Sequence, residues 1–267
     1  MSFSLHLLIL CVLQGITEFI PVSSSAHLML LPQLFGWQDP GHSVDVILHL
    51  GTLLTVLVYF HSDIWQMTKS VLRYATSGRL KLPKDSYLTL AFSIIAATLP
   101  AIIVGYCVKR IGMDRFSGPV YLGINSIIFG VLLYLADRFG KNDQKDFSIK
   151  KGFLIGMAQS VALIPGVSRS GTCITAARLL GFDKIQATRY AFLLSIPTVL
   201  GATTLTVWDM YKEGVTLPIA PLAMGIIFTA IIGLCVIHAM MLFLARFNFT
   251  VFMLYRVLLG ALILLCV

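Results

Sequence analysis

Residues 5–35 read LHLLILCVLQGITEFIPVSSSAHLMLLPQLF, and the fold follows from how that stretch is broken. Its apolar part, 5–20, is helical in character but meets Pro21 after about 16 residues. That is about 24 Å of helix, short for a bilayer crossing. A second short apolar stretch, 26–35, follows the polar turn. The economical reading is a re-entrant helix–turn–helix hairpin with its tip at mid-bilayer, where irregular backbone is tolerated only inside protein or along a wet cavity. The pattern returns once: the apolar stretch 152–163 runs into Ile164-Pro165-Gly166-Val167-Ser168-Arg169-Ser170, and 172–182 follows. Gln14 and Gln159 stand at comparable distances upstream of the two turns.

Around the hairpins lie six apolar segments, about 44–60, 87–108, 118–136, 187–207, 218–243 and 249–267, each of a length to span a membrane. Of 267 residues, 57% are hydrophobic and only 12% charged, with a mean hydropathy of +0.88; a soluble domain carries about 25% charge. No alternating strand pattern is visible, which argues against a transmembrane barrel. The predicted fold is thus an all-α polytopic membrane protein: one domain over 1–267 with about six transmembrane helices and two re-entrant helical hairpins. The hairpins are related as an inverted repeat, about 1–136 and 152–267, joined by a cytoplasmic linker near 137–151. Five cysteines in or beside apolar runs, without metal-ligand spacing, read as packing residues. The start of the chain, lacking a basic n-region and a cleavage site, does not read as a cleaved signal peptide.

The net charge of +8 reads as topology. The Lys and Arg are scattered between apolar runs with no basic stripe or motif of the kind that binds nucleic acid. With alternating spans, the connections near 61–86, 137–151, 183–189 and 244–248 share one side and hold 13 of the 20 Lys and Arg; the opposite side holds 4. The positive-inside rule puts the first set in the cytoplasm and both termini outside. The first hairpin then enters from outside and the second from inside, which puts a ligand site at the repeat interface.

Arg169, Arg178 and Arg256 are left in membrane-associated segments, where an ionisable group is costly and by default a functional candidate. Arg178 reads as snorkelling toward the cytoplasmic end of its helix. Arg169 sits at a Gly-bearing turn where a helix begins, in company with the hydroxyls of Ser168, Ser170 and Thr172. Helix-start N–H groups, hydroxyls and a guanidinium fork suit an anion, and phosphate best. In the first hairpin Gln14 and Glu18, four apart, share a helix face. Glu18 could pair with Arg169, hold a hard cation such as Mg²⁺ or Ca²⁺, or act as a base. His27 follows Ser23-Ser24-Ser25 at the same turn, so Ser24 and His27 are candidates for chemistry. The bland reading of these serines is helix capping, which catalysis does not exclude. His49 and the other four histidines have no such company and receive no role.

The segments Gly15-Ile16-Thr17-Glu18-Phe19-Ile20-Pro21-Val22-Ser23-Ser24-Ser25-Ala26-His27 and Pro165-Gly166-Val167-Ser168-Arg169-Ser170-Gly171-Thr172, with Phe252-Met253-Leu254-Tyr255-Arg256 near the C-terminus, resemble the signature motifs of the undecaprenyl-diphosphate phosphatase family, the bacitracin-resistance proteins. The resemblance implies a bacterial inner-membrane hydrolase that regenerates the lipid carrier for cell-wall synthesis. It also implies a divalent-cation requirement and a site open toward the periplasm. It carries the catalytic roles to Glu18, Ser24, His27 and Arg169, with Glu18 also holding the metal. Gln14, Ser168, Thr172 and Arg256 would support them, and Ser23 and Ser170 join the expected substrate-binding set. Two departures stand out: Gln14 where many members have a second glutamate, and Cys173 where a second threonine is common.

The expected mechanism is in-line attack by Ser24 with His27 taking its proton, Arg169 clamping the phosphate and Glu18 holding the cation. Direct attack by water, or by His27 itself, fits the residues nearly as well. The rival class is a polyprenyl-phosphate transporter using the same anion site; an intramembrane Ser–His protease leaves Arg169 without a purpose. Expected partners are a polyprenyl diphosphate and the bilayer, with a homodimer as one assembly and no nucleic acid.

Overall fold

The computed structural model describes residues 5–37, 41–78, 85–111, 118–215 and 219–266. Both termini lie outside the described residues, as do parts of the connections expected near 36–43, 61–86, 109–117 and 208–217, with Arg79, Lys81, Lys84 and Arg115. Among the described residues the chain forms eleven α-helices and no strand: α1 Leu5–Thr17, α2 Ser24–Phe35, α3 Gly41–Tyr59, α4 His61–Thr76, α5 Ser86–Ile111, α6 Pro119–Phe139, α7 Ile149–Val161, α8 Arg169–Leu179, α9 Lys184–Lys212, α10 Ile219–Arg246 and α11 Thr250–Leu265.

The predicted hairpins are α1–α2 and α7–α8, and each of the six predicted spans falls on one helix. By length and apolar composition α5, α6, α9 and α10 can each cross a membrane, and α3 with α4 makes a fifth crossing if that pair, bent by 75°, is one span. One expectation needs correcting. The stretch after residue 60 reads as a loop because charges interrupt its apolar run, yet 61–76 is helical. Ile64 and Met67 pack on the main core and Ser70 is buried, while Lys69 and Arg73 face outward. Helical spacing of a few inward residues suffices once a core is there to receive them.

The main core gathers Phe19 at the first hairpin tip, Cys173, Ile174 and Ala177 of α8, and Tyr190 to Leu194 of α9, with Val56, Ile94, Ile155 and Ile237 from four further helices. Close helix approach depends on small residues, as expected where lipid offers no hydrophobic drive between helices. A Cβ at Gly152 or Gly156 of α7 would stand 2.3 or 2.1 Å from backbone oxygens of Ser93 and Ala97 on α5. All five cysteines are free.

On the side rich in Lys and Arg, Arg178 departs from the sequence reading. It does not snorkel: it is buried, donates to Asp137 Oδ1 at 3.0 Å and to the Asp137 carbonyl at 2.8 Å, and bonds Asn142 and the Phe182 carbonyl as well. Asp137 also accepts from the Phe249 amide, so one ion pair fastens α6, the linker, the end of α8 and the start of α11.

Candidate functional site

The first tip forms because the α1 ladder continues only to Glu18 and Ile20, whose amides bond Gln14 and Ile16, and Pro21 has no amide to extend it. Ser23 takes a left-handed φ of 73°, and α2 starts at the next residue. One turn of α1 sets Gln14 beneath Glu18, and Gln14 Nε2 donates to Glu18 Oε2 at 3.2 Å. Ser24 Oγ donates to the same oxygen at 2.7 Å. Ser23 Oγ lies 3.1 Å from Ser25 Oγ.

The second tip repeats this device. Gly166 has φ 86° and Ser168 φ 73°; at Gly166 a Cβ would stand 3.0 Å from the Leu122 carbonyl oxygen, so glycine is required by both the backbone angle and the approach to α6. Ser168 Oγ accepts the Gly171 amide at 3.2 Å as the cap of α8. Ser170 Oγ lies 3.4 Å from Ser168 Oγ, and Thr172 Oγ1 donates to the Ser168 carbonyl at 2.9 Å. The three hydroxyls expected on the anion are thus all engaged at the start of α8.

Across the gap between the tips, Arg169 Nη2 donates to Glu18 Oε1 at 2.6 Å while Nη1 donates to the Ala191 carbonyl of α9 at 3.1 Å. The pair keeps 16% and 10% of its side-chain surface exposed, so it is sheltered yet reachable. Arg256, expected on the phosphate, is fully buried. Its guanidinium donates to the carbonyls of Pro21 in the first turn, Gly166 and Val167 in the second, and Asn125 and Ser126 of α6. It ties both tips to one helix. Asn125 adds a bond to the Pro165 carbonyl at 2.9 Å.

His27 is not on Ser24. Its Nδ1 faces the Ser23 carbonyl at 2.8 Å, which requires an N–H there, and Nε2 lies 2.6 Å from the Tyr255 hydroxyl, which then donates to it. The two rings stack at 10°. Among the described hydrogen bonds, the Ser24 proton goes to Glu18. Beside Ser24 opens a cavity of about 320 Å³ lined by the first turns of α2, by Asp45, Val46 and His49 of α3, and by Ala202, Thr203 and Thr206 of α9. Sequence reasoning passed over Asp45 and His49. The signal was available: two ionisable residues four apart in an apolar span share a helix face and warrant the suspicion given to Arg169.

Among the described residues no three His, Cys, Asp or Glu side chains converge as a ready-made cation cage. The oxygens suited to a hard cation are Glu18 and the buried Oε1 of Gln14, which has no protein partner. Against known families, a model described as bacitracin resistance protein BacA matches residues 7–262.

Proposed function

Because the chain belongs to the bacitracin resistance protein family, whose members are undecaprenyl-diphosphate phosphatases, we propose that the Glu18, Ser24 and Arg169 constellation is where this enzyme cleaves its substrate. The protein is a multi-pass membrane hydrolase that converts undecaprenyl diphosphate to undecaprenyl phosphate and inorganic phosphate, recycling the cell-wall lipid carrier and conferring bacitracin resistance. The observation that carries the assignment is the 2.6 Å Arg169–Glu18 pair between the hairpins, with Ser24 at 2.7 Å on the other Glu18 oxygen.

The terminal phosphate draws the Arg169 guanidinium onto its equatorial oxygens and so frees Glu18. The Ser24 oxygen bonds to the terminal phosphorus as its proton passes to Glu18 Oε2; the bridging P–O bond breaks, and lipid monophosphate leaves. The oxygen of a water molecule then bonds to the phosphoserine phosphorus and keeps its protons on the departing dihydrogen phosphate, the Ser24 Oγ–P bond breaks, and Glu18 returns its proton to the Ser24 oxygen. This differs from the sequence expectation in giving Ser24's proton to Glu18, because both His27 nitrogens are engaged elsewhere. His27, in the first turn of α2, and Tyr255 of α11 keep that turn in register, and Arg256 positions both turns. Amides at the start of α8 supply further positive potential. Glu18 and Gln14 Oε1 are the groups that would hold a divalent cation, whose charge would offset that of the phosphate.

The proposal extends to topology: six crossings, the two halves inverted about a two-fold axis, and the cavity open to the periplasm. Equal φ at Ser23 and Ser168 supports the repeat. So does helix pairing, since α1 packs on α10 as α7 packs on α5, and α3 meets α9 as α6 meets α11. The cavity is lined by the start of α3 and the end of α9, the side poor in Lys and Arg.

Rapid-quench labelling in detergent with terminally ³²P-labelled polyprenyl diphosphate and Mg²⁺ tests the mechanism. Label on Ser24, lost in Ser24→Ala, is expected. Label on His27, or full turnover by Ser24→Ala, rejects it. A transporter using the same anion site would release no phosphate.

A further inference from the structure

The hairpin tips account for one phosphate of a substrate that has two. The second, on the lipid side, carries charge of its own and stays on the product, so a site matched to a diphosphate needs a second set of donors a few ångströms from Ser24. The cavity beside Ser24 provides candidates. His49 Nδ1 faces the Asp45 carbonyl at 2.8 Å, which makes Nδ1 an N–H and fixes the ring. The ring lines the cavity beside Ser24. Across from it on α9, Thr203 lines the same cavity with a buried hydroxyl that has no hydrogen-bond partner. A buried unpaired hydroxyl costs free energy that a ligand restores. Leu28 and Met29 complete the wall along α2, an apolar flank on which a prenyl chain can lie.

Resting on the reading that Arg169 takes the terminal phosphate, we propose that this cavity is the subsite for the lipid-side phosphate, with Thr203 and His49 as its donors, His49 acting as the imidazolium whose second N–H, on Nε2, meets the anion. They make the enzyme selective for a diphosphate over a monophosphate. Asp45 lines the same cavity and opposes a bare anion, so the head group enters with its countercation rather than alone.

The test measures inhibition of the full-length protein in detergent with Mg²⁺ by two non-hydrolysable probes of equal chain length, farnesyl methylenebisphosphonate and farnesyl monophosphonate. His49→Leu is expected to weaken the bisphosphonate by about 10- to 100-fold, the loss of a hydrogen bond to a charged group, and to leave the monophosphonate unchanged. Thr203→Val acts in the same direction with a smaller effect. His49→Gln, which keeps a donor, restores most of the loss and shows that the site folds. Arg169→Ala should weaken both probes alike. If His49→Leu weakens neither probe, or both equally, the subsite is rejected. If Arg169→Ala weakens neither, the tip assignment falls instead, so the two failures are distinguishable.

Discussion

Ser23 and Ser168 hold the same left-handed backbone angle, φ 73°, one at each hairpin tip and each immediately before a helix, the first starting at Ser24 and the second at Arg169. A non-glycine residue in that region is strained by contact between Cβ and the backbone. At both tips it turns the chain sharply enough for a helix to start where Pro21 or Pro165 has ended the previous run. Ser23→Gly is expected to match or exceed the wild-type melting temperature in detergent, and Ser23→Val to lose about 1–3 kcal/mol. Equal losses in both variants would assign the effect to the hydroxyl contact with Ser25 instead.

Arg169→Ala should lower turnover by about 10²- to 10³-fold, the loss found when a charge-stabilising donor is removed. Arg169→Lys should recover little of it, because an ammonium cannot reproduce the planar fork. The Glu18→Gln, Arg169→Ala double variant should melt above Arg169→Ala alone, since the single change leaves a sheltered carboxylate without its cation. Additive melting shifts would mean that the pair is not coupled.

Tyr255→Phe removes the hydroxyl on His27 Nε2 and leaves the stacked ring. One lost hydrogen bond of about 1 kcal/mol corresponds to a severalfold fall in kcat/KM, with the melting temperature nearly unchanged. A Tyr255→Phe enzyme as impaired as His27→Ala would give the hydroxyl a part in the reaction itself.

Arg178 and Asp137 are structural. Arg178→Ala leaves Asp137 buried without its cation and should cost about 3–5 kcal/mol, read as a large drop in melting temperature and in folded yield. In whatever protein does fold, KM should stay at the wild-type value. A raised KM with normal stability would place Arg178 in the active site.

Asp85, just ahead of α5, accepts the amides of Tyr87 and Leu88 at 2.9 and 3.0 Å. The Leu88 amide above all holds its carboxyl below the usual range. Because the folded value is the lower one, the stabilisation is present above the unfolded pKa near 4 and is lost as pH falls through the folded value. Asp85→Ala should cost about 1 kcal/mol at neutral pH and less in acid, as thermal melts at several pH values would reveal. A cost independent of pH would rule out the charged cap.

Much of this protein is legible in residues close together in sequence. Two prolines after short apolar runs mark the tips, and the cost of ions in lipid singles out Glu18 and Arg169 before any coordinates exist. α4 escaped because its charges hide a helical face that only the core makes apparent. His49 escaped because it was read without Asp45, four residues before it on the same face of α3, and because its place in the cavity beside Ser24 comes only with the packing of α2, α3 and α9.

Ten of the eleven helices among the described residues, the two breaks and the family were already written in the chain, since these rest on short-range periodicity, on proline and glycine geometry and on contiguous motifs. The partners came with the packing of the helices: Ser24 on Glu18, His27 on Tyr255, Arg256 on five carbonyls, Arg178 buried against Asp137. Hydrogen bonds are directional and fail within an ångström. Which acceptor meets a given donor is therefore set by where helices far apart in the chain come to rest, and local spacing carries no record of it.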